Sequence, residues 1–234
     1  WFHAGVYLGH RRLSILDTSD AGRQPMIADN VAVTVNGEIY NFKSLRSELE
    51  GVGYIFRSQS DSEVVLHGYS YWGLDGLLSR LDGMYAAVIC DVAEGRLFAF
   101  RDRAGIKPLY YYTDGKQLVW ASELKAIRAY VPTEKLSIDP EALIDFLTYR
   151  YLPAPRGLYR NSAKLPPASV LEFSFSDLSF KVRRYWHLST EPTGLSSKLL
   201  EQRLLELLEA SVREQLVSDV PLGLLLSGGV DSSA

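Results

Sequence analysis

MYAAVICDVAEGRLFAFRD, residues 84–102, decides the fold. Two runs dense in β-branched and aromatic residues flank Ala93-Glu94-Gly95, whose glycine supplies the positive φ of a tight reversal, so the stretch reads as an antiparallel hairpin. The same pattern recurs outward. PLYYYT (108–113) and QLVWAS (117–122) flank Thr113-Asp114-Gly115-Lys116, and VYLGHRRLSIL (6–16), VAVTVNG (31–37) and SVLEFSF (169–175) read as further strands. Helices interrupt them. Phe42, Leu45 and Leu49 share one face of NFKSLRSELEG (41–51), and DPEALIDFLTYRYL (139–152) opens with Asp139 as N-cap and Pro140 at the first helical position. Antiparallel strands with helices between them predict an α+β class.

After Trp186 the character changes. HLSTEPTGLSS is polar, carries proline and glycine and has no period, which predicts a linker over 187–198. Beyond it Leu200, Leu204, Leu207, Leu208, Val212 and Leu216 form an apolar stripe, predicting a helix that leads through SDVP into a strand, LGLLL (222–226). Helix, strand, glycine loop and helix start over 199–234 describe the opening of an α/β domain.

The balance of 47% hydrophobic and 23% charged residues over 234 is that of a globular chain with a sizeable core. A net charge of −3 with scattered basic residues gives no general attraction to nucleic acid or membrane, so small polar ligands are the expected partners. One cysteine, Cys90, allows no internal disulfide, and no apolar run is long enough to span a bilayer, which suits the cytosol. The chain opens on Trp1 and stops just inside its last loop, and both ends look cut.

That last stretch, LLLSGGVDSSA (224–234), has neither the lysine of a P-loop nor the three spaced glycines of a dinucleotide fingerprint. Gly228 and Gly229 let backbone approach an anion, the Ser227 and Ser232 hydroxyls can donate to phosphate, and a bridging Mg²⁺ would explain Asp231. A capped strand-to-helix turn is the plainer alternative. Nearer the start, Asn36-Gly37 in VNGEIYN (35–41) is by itself a hairpin signal. GHRRLSILD (9–17) and SQSDSEVVL (58–66) stand on either side of it in sequence. Together the three segments are complementary to a free amino acid. Arg12 could hold an α-carboxylate, Glu38 and Asp61 an α-ammonium, and the Asn36 amide with the Gly37 N–H an oxyanion. Singly, Arg12 and Asp61 are more often solvated surface charges.

SGGVDSS resembles the pyrophosphate loop of the ATP pyrophosphatase family, which forms acyl-adenylates; that resemblance implies ATP binding through Leu225, Ser227, Gly228, Gly229, Asp231 and Ser232, with Asp231 on Mg²⁺. The three N-terminal segments, in their order, resemble the glutaminase domain of class II glutamine amidotransferases, which implies an N-terminal nucleophile hydrolase fold: two facing antiparallel sheets enclosed by helices in a four-layer sandwich. With RDRAGIKPLYY (101–111), ASELKAI (121–127), KLPPA (164–168) and SDVPLGLLLSGGVDSS (218–233), the whole chain resembles the glutamine-hydrolysing asparagine synthetase family. It departs from that family at Arg11, where an acidic residue is common, and at Ala168, where glycine is common.

The resemblance implies a glutaminase domain over 1–186 and the start of a synthetase domain over 199–234. Glutamine would be bound by Arg12, Leu13, Ser14, Ile15, Leu16, Asn36, Gly37, Glu38 and Asp61, with Asn36 and Gly37 the oxyanion donors. Its ammonia would attack a β-aspartyl-adenylate made from aspartate and ATP, giving asparagine, AMP and pyrophosphate; a homodimer is compatible with this. The family's nucleophile is an N-terminal cysteine whose own amine is the base. Trp1 cannot serve, Cys90 reads as a strand-interior core residue, and His3, His10, His67 and His187 lack metal-ligand spacing, so residues 1–234 alone are expected to be inactive. Two other readings stay open: a non-catalytic glutamine-binding module, and a relative that amidates a different carboxylate.

Overall fold

The computed structural model describes residues 1–3 and 5–233; Ala234, the last residue of the quoted phosphate loop and of the 199–234 segment, lies outside them. The strands are β1 (Phe2–His3), β2 (Val6–Tyr7), β3 (Met26–Ala28), β4 (Val31–Ile39), β5 (Gly83–Asp91), β6 (Arg96–Arg101), β7 (Tyr110–Thr113), β8 (Leu118–Ala121), β9 (Ser162–Lys164), β10 (Ser169–Ser174) and β11 (Phe180–Arg184). The helices are α1 (Phe42–Gly51), α2 (Glu63–Arg80), α3 (Leu124–Tyr130), α4 (Pro140–Tyr149), α5 (Ser197–Gln215) and α6 (Val230–Ser233). Strands β11-β10-β6-β5-β4-β3 form a six-stranded antiparallel sheet, and β8-β7-β9 form a second antiparallel sheet of three.

Period-two alternation builds the layers. On β4 and β5, Val31, Val33, Val35, Tyr85, Ala87 and Ile89 pack with Phe42 and Leu45 of α1 and Val64, Val65 and Leu77 of α2. Their alternates Ala32, Ala86, Val88 and Cys90 turn the other way and cluster with Trp120 of β8 and with Leu109 and Leu165, which adjoin β7 and β9, with small residues where the sheets approach. The outer face of that second sheet buries Tyr112 against Ile127 of α3 and Val131. Helices, sheet, sheet, helix make the expected four-layer α+β sandwich.

Both expected hairpins close as read, with Gly95 at φ 62° and Gly115 at φ 79°. Asp139 caps α4 by accepting the Glu141 N–H at 3.1 Å, and Phe42, Leu45 and Leu49 are the buried face of α1. The structure departs from the local sequence reading at several places. Asn36-Gly37 is no turn: β4 runs through it, pairing Asn36 with Ala86 and Gly37 with Tyr85, because the apolar alternation continues to Ile39. Of VYLGHRRLSIL only Val6–Tyr7 is strand, and residues 8–16 run on as a loop that pairs with no strand. LGLLL forms no ladder, and Leu222, Leu224, Leu225 and Leu226 are exposed. An inner strand owes its conformation to neighbours on both sides, and none pairs with it among the described residues. The α5 stripe is likewise exposed along its length. Helix α5 begins at Ser197, two residues inside the segment read as linker. No described helix is long and apolar enough to cross a membrane.

Candidate functional site

A pocket opens along the C-terminal half of β4, beside the loop that carries Arg12. It is lined by Arg12, Leu13, Ile15, Leu16, Asn36, Gly37, Glu38 and Asp61, together with His10, Arg11, Gln24, Val35, Ser62 and Lys107. The structure therefore brings together every residue assigned to glutamine from the sequence except Ser14, which sits half-buried in the same loop but does not line the pocket.

Strand β4 pairs with β5 along its whole length, and on its other edge, past the end of β3, a side chain takes over from the ladder. The Gln24 amide accepts the Val35 N–H at 2.6 Å and donates to the Val35 carbonyl at 3.1 Å and to the Ser62 hydroxyl at 3.2 Å. One residue on, the Asn36 amide donates to Ser122 Oγ at 3.1 Å, across the gap to the second sheet. Gly37 has φ 142°, and a Cβ there would collide with the Met84 carbonyl and lie 2.7 Å from the Tyr85 Cα, so only glycine permits this strand approach.

Arg12 is less free than a bare carboxylate clamp. Its guanidinium donates to the Asp17 carbonyl at 2.7 Å and also to the Leu16 carbonyl, and it lies against Gly22 so closely that a Cβ would overlap it. Two donors thus hold its own loop in shape, and the group still faces the pocket.

Two carboxylates, Glu38 and Asp61, line the same pocket. Burial, then the nearby Asp61, raises the Glu38 pKa, with Lys107 opposing. Burial also raises that of Asp61, against the hydrogen bonds it accepts from Ile39, Ser62 and Ser60. Two acids pushed toward neutrality in one pocket are stabilised in their charged form by an arriving cation, which is what an α-ammonium supplies.

Lys107 was missed as a pocket residue, although RDRAGIKPLYY contains it. Asp102 accepts the N–H groups of Ile106 at 2.9 Å and Lys107 at 3.0 Å. Arg101 donates to the carbonyls of Lys107 at 2.5 Å, Leu165 at 2.8 Å and Gly105. The turn is gripped from both sides, and Lys107 projects from it to the pocket. Gln24 and Ser122 carried no sequence signal, because their function is to bond strand backbone or another side chain distant in sequence.

The C-terminal loop is formed locally. Gly228 has φ 77°, Ser227 Oγ and Ser232 Oγ lie 2.9 Å apart, and Asp231 stands exposed in the first turn of α6. Leu225, Gly228 and Gly229 are exposed as well. Its donor set of hydroxyls, backbone and one carboxylate is all hard oxygen and nitrogen, which fits phosphate with Mg²⁺. Cys90 is fully buried between the sheets, its thiol raised to about 11 by burial and by Asp91.

Residues 1–186 match the glutamine amidotransferase domain family, and residues 203–234 match the asparagine synthase family. Asparagine synthetase (glutamine-hydrolysing) 3 of Bacillus subtilis strain 168 is 37% identical over 239 residues, covering 100% of this chain and 38% of that protein. Asparagine synthetase (glutamine-hydrolysing) 1 of the same organism is 37% identical over 238 residues, covering 100% and 37%. The chain thus spans little more than a third of these relatives. Among solved structures, glutamine phosphoribosylpyrophosphate amidotransferase from B. subtilis, complexed with ADP and GMP, superposes with a TM-score of 0.53. It is 24% identical, covering 76% of this chain and 34% of that one, a likeness of fold.

Proposed function

The chain belongs to the glutamine amidotransferase domain family, and from that premise we propose that it forms the glutamine site, and the beginning of the ATP site, of a glutamine-dependent asparagine synthetase. The observation that carries this is the single pocket lined by Arg12, Glu38 and Asp61 together with Asn36 and Gly37. Glutamine enters with its α-carboxylate toward Arg12 and its α-ammonium toward Glu38 and Asp61. The side-chain carbonyl then lies by the Asn36 amide and the Gly37 N–H, which stabilise the oxyanion as the amide is attacked. Cys90 is not the attacking thiol: it is buried between the sheets, and its raised pKa keeps it protonated at neutral pH.

The ammonia released attacks a β-aspartyl-adenylate formed from aspartate and ATP, with AMP and pyrophosphate as the other products. Gly228 and Gly229 would bring backbone to the pyrophosphate and Ser227 and Ser232 would donate to it, while Asp231 would hold Mg²⁺, which would supply neutralisation of the phosphate charge. A thiol kept reduced and buried suits a reducing compartment such as the cytosol.

The test is Arg12→Ala in the whole enzyme. Glutamine-dependent synthesis should fall while synthesis from free ammonia persists, because ammonia bypasses the pocket; equal loss of both refutes the assignment. Asp231→Asn should give the converse, losing synthesis while glutamine hydrolysis continues, and ADP in place of AMP as product would rule out an adenylate.

A further inference from the structure

The loop that carries Arg12 is gripped from two sides, and the outer grip comes from residues two hundred positions later. Asp17 N–H donates to Asp219 Oδ2 at 2.7 Å, and Asp219 N–H donates to the Ile15 carbonyl at 3.0 Å, a reciprocal pair that brackets Leu16. From the inner side Arg12 binds the carbonyls of Leu16 and Asp17. Ile15 and Leu16 both line the pocket. The later segment is itself fixed, because Val217 packs against the main core cluster that includes Leu16. Ser218 Oγ closes a turn by donating to the Val220 carbonyl at 2.9 Å and accepting its N–H at 3.1 Å. Asp17 extends the connection inward, its other oxygens accepting the Gln59 N–H at 2.7 Å and the Ser19 hydroxyl at 2.5 Å. Gln59 lies two residues before Asp61, which lines the pocket.

We propose that Asp219 is a positioning residue for the glutamine pocket: it holds the 15–17 peptide from outside so that Arg12, bound to the same peptide from inside, is set at its working angle. This rests on the reading of the pocket as a glutamine site. It also means that the segment entering the phosphate loop buttresses, from behind, a loop that lines the first site. The two loops are thereby mechanically joined, with seven residues between Asp219 and Ser227 along the chain.

The substitutions are Asp219→Ala, which removes the acceptor, and Asp219→Asn, which keeps a carbonyl oxygen for the Asp17 N–H. Glutamine affinity of the chain is measured by calorimetry, and amide hydrogen exchange is followed at residues 15–19. Asp219→Ala should bind glutamine about 10-fold more weakly, the scale of one hydrogen bond to a charged acceptor, and should exchange faster at Asp17. Asp219→Asn should recover most of both, and melting temperatures should match because Asp219 is exposed. Unchanged affinity or unchanged exchange in Asp219→Ala, or an equal defect in Asp219→Asn, overturns the positioning role alone. Failure of the unaltered chain to bind glutamine overturns the reading of the pocket, and this inference falls with it.

Discussion

Asp61 Oδ2 accepts the backbone N–H of Ile39 at 2.8 Å, so one carboxylate both faces the pocket and pins the far end of the strand that carries Asn36, Gly37 and Glu38. The two duties are separable. Asp61→Asn keeps an oxygen for Ile39 and loses the charge, and should fold normally yet bind glutamine at least about 10-fold more weakly. Asp61→Ala also strands the buried Ile39 N–H, which costs about 1–3 kcal/mol. Calorimetric binding and thermal melts of the two variants check this: a melt of Asp61→Ala equal to that of Asp61→Asn would discount the strand-pinning role.

The raised carboxylates give the pocket a pH response. Glu38 and Asp61 are both shifted upward, foremost by burial, so the empty pocket favours their protonated forms. Stability from these groups is therefore full below the ordinary carboxylate range and declines as pH rises through the raised values. Ammonium binding runs the other way, since it needs the ionised forms. Glutamine affinity should rise with pH, with a midpoint above that of an ordinary carboxylate, and Glu38→Gln should flatten the curve. A pH-independent affinity across the acid range would contradict this.

Glu63 behaves oppositely. Burial would raise its pKa, but hydrogen bonds from His67, the Ser58 hydroxyl and the N–H groups of Arg57 and Ser58 hold it at about 2, against 4.5 ordinarily. Its contribution is complete above the ordinary value and is lost as pH falls from there toward about 2. Glu63→Gln turns an N–H₂ toward these donors and should cost about 2–3 kcal/mol at neutral pH while weakening acid sensitivity. Denaturant melts at pH 7 and pH 3 measure both effects.

Gly37 and Gly115 separate sterics from backbone preference. Both have positive φ, yet a Cβ at Gly115 meets nothing within 4 Å, whereas at Gly37 it meets the backbone of β5. Gly115→Ala should cost about 1 kcal/mol. Gly37→Ala should cost more than about 3 kcal/mol, because strand backbone must move to admit it. Melting temperatures of the pair decide this directly.

Local grammar made most strands legible: the alternation of MYAAVICDV and RLFAFRD sorts side chains to two faces, and each face found its own layer. Helix α2 was not legible. Gly68, Gly73 and Gly76 interrupt its pattern, it kinks at Gly73, and apolar residues surround it, so no single face repeats. Gly68 is small because Trp72 and Leu77 pack over it. At the pocket, charged residues could be grouped by complementarity to an amino acid. The anchoring contacts Gln24–Val35, Arg12–Leu16 and Asp219–Asp17 could not, since side-chain-to-backbone bonds leave no periodic trace. LGLLL shows the converse limit, where an apolar run specifies burial but not its neighbours.

Cys90 stands with zero exposure, paired in its sheet with Ala32 and Leu97 and part of the apolar cluster between the sheets that includes Leu165. A thiol so placed is a clock. A bulky alkylating or disulfide reagent can reach it only when the layers come apart, so the labelling rate under native conditions counts those openings in a chain that carries no other cysteine. Ligands in the pocket at the neighbouring strand should slow that clock, which would report cohesion of the whole sandwich from a single sulfur atom.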